Sequence, residues 1–169
     1  MFDTQLPLGT LSSLLFSLMG PVALVPLFAS ATAGADLELQ RKIALRAFAV
    51  SLLAIAIAVS AGAGALAGAG TSRSSLIIGA GTILTLTALA SLFGWWKGRG
   101  ADADRPPAVA TGFAPIAIPG IVTPTGVAVL IIFVSFFPSV SDKFAIMAVV
   151  AAILLLNLLA MLAATTAMI

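Results

Sequence analysis

Cysteine and histidine are both missing from this 169-residue chain. Their absence removes the common soft-metal and haem ligands, together with the Ser-His and Cys-His nucleophile pairs. Charge is scarce as well, at 8% of residues, while 61% are hydrophobic and the mean hydropathy is +1.21. A soluble domain of this size needs more charge to coat its surface. Apolar runs repeatedly reach the roughly 20 residues that cross a bilayer, so the chain reads as an all-α, polytopic membrane protein. No acid, base or metal constellation lies within the spans, so neither an enzyme nor a cofactor is predicted. The pI near 9.7 rests on a net charge of only +2. The basic residues flank apolar spans, where they signal topology rather than a nucleic-acid surface.

About five spans can be traced. The first covers Leu8 to Phe28, and the residues before it hold Asp3 but no basic side chain, unlike a cleavable signal peptide. A polar hinge from Ser30 through Lys42 precedes the second, Ile43 to Leu66. A short turn ending at Arg73 precedes the third, Ser75 to Phe93, which ends in the interface-type Gly94-Trp95-Trp96-Lys97. Residues 98–107 are the most polar stretch and read as a linker. The fourth region, Ala108 to Phe137, is longer than one straight crossing needs, which leaves a broken helix or a re-entrant hairpin. The fifth covers Phe144 to Ala164. The whole of 1–169 is then one integral membrane domain, with a three-helix repeat over 1–97 and a second, shorter one over 108–169. For a single crossing of the fourth region, Lys and Arg divide six against two between the faces. That division predicts a cytoplasmic C-terminus and an external N-terminus.

Proline is concentrated where a spanning helix tolerates it least. Gly20-Pro21 and Pro26 interrupt the first span, and Pro115, Pro119-Gly120 and Thr123-Pro124 interrupt the fourth region. Proline removes a donor and frees a carbonyl, which in lipid must be met by protein, water or a ligand. Pro21 and Pro124 lie 103 residues apart, each followed by an apolar run, a polar hinge and a long helix. An odd number of spans before the linker inverts the second copy, and inverted repeats with broken helices hold solute sites near the midplane. The competing explanation is two unrelated proline kinks.

In order and spacing, several segments together resemble the MarC-related integral membrane proteins, a family that includes small neutral amino acid transporters. They are Gly20-Pro21-Val22-Ala23-Leu24-Val25-Pro26-Leu27-Phe28, Arg41-Lys42-Ile43-Ala44, Gly79-Ala80-Gly81, and Ala114-Pro115-Ile116-Ala117-Ile118-Pro119 with Thr123-Pro124-Thr125. The resemblance implies a bacterial inner-membrane protein. The chain departs from the family pattern in three ways. Gly20-Pro21 stands where the family has Asn-Pro, and Thr123-Pro124-Thr125 stands where it has Gly-Pro-Gly. Five spans replace a three-plus-three arrangement, which raises a missing sixth helix or dependence on a partner subunit as alternatives.

Ionisable groups are absent from the centre of every span, which favours a solute of little net charge, such as a zwitterionic amino acid. The candidate site comprises Ser17, Gly20 and Pro21 at the first break, and Gly120, Thr123, Pro124, Thr125 and Gly126 at the second. Half-helix N-termini would hold a carboxylate, and freed carbonyls and hydroxyls an ammonium. The competing roles are back-bonding for Thr123 and Thr125 and tight packing for Gly20 and Gly126. Asn157 is assigned to an interhelical hydrogen bond ahead of solute binding, and Thr82, Thr85 and Thr87 either to back-bonds or to positions facing neighbouring helices. Gly62-Ala63-Gly64 and Gly68-Ala69-Gly70 fail the nucleotide-loop pattern at Ala67. With Gly79 and Gly81 they are read instead as packing positions between the second and third spans. The resulting expectation is a carrier of small neutral solutes, with a proton or sodium as coupling ion. The alternative is a non-transporting accessory subunit, working as a homo-oligomer or with a partner.

Overall fold

A computed structural model describes residues 8–68, 70, 72–93, 108–137 and 139–167. The expected linker 98–107 and the aromatic-basic end of the third span, 94–97, lie outside the described residues. Among the described residues there are six α-helices: α1 (Leu8–Met19), α2 (Pro21–Ala31), α3 (Leu37–Gly68), α4 (Arg73–Leu92), α5 (Pro124–Phe136) and α6 (Val140–Ala167). A short 3-10 turn, Val109–Gly112, and a wide π-type coil, Phe113–Ile121, lead into α5. No strand occurs among the described residues. Leu8–Ala31, Leu37–Gly62 and Val140–Thr166 are long and apolar enough to cross a membrane, and Pro124–Phe136 is a shorter apolar helix.

Local chemistry sets the helix ends and moves three of them outward from the expected bounds. Gly34 turns the chain with φ +79°, and the Asp36 carboxylate then accepts from the Leu39 N–H at 2.8 Å. This N-cap brings Glu38, Arg41 and Lys42 into the start of α3 instead of leaving them in a hinge. The Lys42–Glu38 pair at 2.7 Å is exposed and adds little stability. Ser139 caps α6: its Oγ accepts from the Asp142 N–H at 3.1 Å and donates to Asp142 Oδ2 at 2.6 Å. This local exchange starts the helix at Val140 rather than Phe144. Ser72 accepts from the Ser75 N–H at 3.2 Å at the head of α4.

The core gathers Leu11, Leu15, Leu24 and Phe28 from the first span, Ile43, Ala47 and Ile55 from α3, Leu130 from α5, and Ile146, Leu154 and Met161 from α6. Leu53, Ile57, Leu92, Phe144 and Leu159 face outward, as expected of a surface bathed in lipid tails. No charged side chain is buried among the described residues.

Two close approaches decide how the fourth region crosses. Gly112 lies against Ile43, Arg46 and Ala47 near the start of α3, and Gly62 near its other end lies against Ile131 of α5. Those two points on α3 are about 28 Å apart at 1.5 Å per residue. The chain from 112 to 131 therefore climbs beside α3 in the same direction, as one broken crossing. The hairpin alternative does not survive. In the same way, residues 12–16 of α1 line a groove with residues 149–156 of α6, and Met19 meets Asn157, so α1 and α6 run parallel.

The glycine-rich packing expected between the second and third spans is not found. Gly62 touches α5, whereas a Cβ at Gly64, Gly68, Gly70, Gly79 or Gly81 would meet no neighbouring element within 4 Å among the described residues. The physical reason is that α4 packs along α5, leaving the glycine stripes open.

Two outcomes check this arrangement. A Cβ at Gly112 would stand 2.7 Å from the Ile43 carbonyl oxygen, so Gly112→Val should cost about 1–3 kcal/mol in detergent melting, whereas Gly79→Val should leave the melting temperature unchanged. Single cysteines introduced at Ser72 and Ser139 should react with an impermeant thiol reagent from one membrane face, and one at Ala33 from the other. A hairpin would put Ser139 with Ala33.

Candidate functional site

Each broken span is cut at the residue before a proline, where steric conflict with the ring disfavours the helical region. Gly20 has φ −79° and ψ 171°, and Thr123 has φ −76° and ψ 141°. Ala114 (φ −137°, ψ 133°) and Ile118 (φ −128°, ψ 118°), which precede Pro115 and Pro119, are extended as well. Pro26 is different, since α2 runs through it. The first break falls about 18 Å from the start of its span and about 16 Å from its end, close to mid-depth.

Breaking the first span frees carbonyls at the end of α1, and the second half of the chain reaches two of them. The Asn157 Nδ2 donates to the Met19 carbonyl at 2.7 Å, across 138 residues of sequence. The Thr123 hydroxyl makes a long 3.5 Å contact to the Leu18 carbonyl while its oxygen accepts from the Gly126 N–H at 3.0 Å. Thr123 is thus an N-cap of α5 rather than a back-bonding threonine. A Cβ on Gly126 would stand 2.7 Å from Met19 Cγ and 2.9 Å from its sulfur, so the first turn of α5 rests directly on the last residue of α1. At Gly20 a Cβ would overlap the Phe16 carbonyl oxygen.

The eight residues singled out from sequence therefore separate. Gly20 and Pro21 form the first break, Thr123 and Pro124 begin α5, and Thr123 and Gly126 meet the end of α1. Thr125 and Gly126 are buried, Gly120 is half-buried in the coil before α5, and Ser17 and Pro124 are exposed. No contact joins Ser17 or Gly120 to the junction among those described. Sequence reasoning misses Met19, because an unbranched apolar side chain in an apolar helix carries no signal. Asn157 makes the interhelical bond expected of it. Thr82 and Thr85 back-bond to Ile78 and Gly81 at 2.9 and 2.8 Å, as read from sequence; the Thr87 side chain lies outside the described residues.

Around the junction the chemistry is polar but uncharged. Gly20 offers α2 no side-chain cap, so the N–H groups of Val22 and Ala23 lack a helical partner at the positive end of the helix. A groove of about 450 Å³, lined by Ser12, Ser13, Phe16, Val149, Ala152, Ile153 and Leu156, lies between α1 and α6. Within the described residues no cluster of metal-binding side chains is found.

The family model described as MarC family integral membrane protein matches residues 8–169. The chain belongs to the MarC family. Among curated proteins and among solved structures, none matches this MarC-family chain significantly. The match takes in both breaks and Asn157, so the junction belongs to the family domain and is not an addition to it.

Substitution should separate the two sides of the junction. Gly20→Ala forces backbone apart and should lower detergent stability by more than Gly126→Ala, where the flexible Met19 side chain can move. Thr123→Ala, which loses the cap, should cost about 1 kcal/mol, measured by thermal melting of purified protein.

Proposed function

We propose that this MarC-family protein is a membrane carrier for small neutral solutes, with amino acids as the principal class, working by alternating access between its two broken spans. It performs no covalent chemistry. The observation carrying the proposal is the meeting of the two breaks, with Thr123 and Gly126 at the start of α5 seated on Leu18 and Met19 at the end of α1. Three further features support it. The two broken spans run in opposite directions, as an inverted repeat requires. Uncapped N–H groups at the start of α2 suit a carboxylate, and the carbonyl-rich end of α1 suits an ammonium. Among the described residues the buried interior carries no charge, which matches a zwitterion of no net charge. Gly20, Pro21, Thr123, Thr125 and Gly126 are assigned to the site, with half-buried Gly120 and exposed Ser17 and Pro124 at its margin. The basic-residue distribution supports an inner-membrane orientation with the N-terminus outside and the C-terminus in the cytoplasm.

The test is uptake of labelled glycine and alanine by proteoliposomes, with and without an imposed proton or sodium gradient. Saturable uptake is expected, reduced at least about tenfold in correctly inserted protein by Thr123→Val, which removes an oriented hydroxyl, or by Pro21→Ala, which restores a backbone donor and lets the first span close over its break. Absence of uptake from folded wild-type protein would instead favour an accessory subunit that acts with a partner.

A further inference from the structure

We propose that Asn157 is a specificity-determining residue whose Oδ1 accepts a hydrogen bond from the ammonium group of the solute; this rests on the carrier reading given above. The Asn157 side chain is fully buried, and the two limbs of its amide are treated unequally. The limb facing Met19 is fixed as the NH₂, because a backbone carbonyl only accepts, and that bond is 2.7 Å long. It holds the amide plane against the break. The other limb, Oδ1, is also buried and has no hydrogen-bond partner among the described residues.

A clamp between helices needs only the donor. Asn157 carries an acceptor in addition, in a place where a buried acceptor is costly to leave unmet. Its surroundings are rich in acceptors. The carbonyl end of α1 gathers negative partial charge, and Pro21, which has no N–H, leaves the Ser17 carbonyl without the donor four residues on. What this corner lacks is a group with several donors and no acceptor, and an ammonium is such a group. On the other side of Gly20 lies the positive start of α2, so a zwitterion would find both of its partners across one residue. The groove between α1 and α6 has Phe16, Ile153 and Leu156 in its lining, each within four residues of Gly20 or Asn157 in sequence.

The experiment compares wild type, Asn157→Asp and Asn157→Leu as purified protein. It measures binding of labelled alanine, competition by propionate, which is alanine without its ammonium group, and thermal melting as a separate readout. Asn157→Leu should weaken alanine binding by at least about tenfold, as expected for a lost hydrogen bond to a charged group. Asn157→Asp, which keeps an oxygen and loses Nδ2, should stay within roughly threefold of wild type. Propionate should compete poorly against wild type, and the preference for alanine should collapse in the leucine variant.

Folded Asn157→Leu protein with wild-type affinity would overturn the proposal. So would an aspartate variant as weak as the leucine one, because the Met19 clamp alone would then matter. If the leucine variant does not fold, propionate competing as well as alanine against wild type overturns it independently. An unchanged alanine affinity that loses only its sodium dependence would make Oδ1 an ion ligand and reject the ammonium. Wild-type protein that binds neither glycine nor alanine would remove the amino acid reading itself, which distinguishes that failure from a failure of Asn157 alone.

Discussion

A carbonyl released from a helix inside lipid has no water to turn to, and this one constraint organises the molecule around Gly20. Pro21 cannot donate, and the extended Gly20 stops α1 from passing its hydrogen bonds on to α2. The carbonyls of Leu18 and Met19 must be met from elsewhere, and they are approached by side chains of α5 and α6. The first span is thereby tied to the last two helices by polar contacts that hydrocarbon cannot replace. Apolar packing among Leu11, Leu15, Leu154 and Met161 then fills the space these contacts define.

The second break is built differently from the first. Thr123 caps its own helix, so α5 begins with a satisfied donor, whereas α2 begins with none supplied by a side chain. The half-helix starts at the two breaks are therefore unequal, one closed by a hydroxyl and one open. An amide does reach the first break, and it belongs to Asn157 on a different helix.

Much of this was legible in the amino acids because proline acts locally. Pro21, Pro115, Pro119 and Pro124 each dictate the conformation of the residue before them, and all four preceding residues are extended. The membrane class and the run of apolar helices follow from composition for the same reason, since bilayer thickness is a property of the solvent. Packing partners were not legible. Gly62, Gly64, Gly79 and Gly81 look alike in sequence, yet only Gly62 has a neighbour that a side chain would strike. Which helix lies beside a small residue depends on the path of the whole chain. Helix ends were missed where a single oxygen, on Asp36 or Ser139, recruits polar residues into the first turn.

The bond from Asn157 to Met19 spans 138 residues, and it sets an order on biosynthesis. At about 5–20 residues per second, the amide emerges roughly 7–28 s after the carbonyl it will meet. Throughout that interval the first span has already been made, but its broken middle lacks its final partner. Whatever shields that carbonyl meanwhile, be it water, lipid headgroup or the insertion machinery, has to let go when α6 arrives. The helix that closes the first span is thus made long after it.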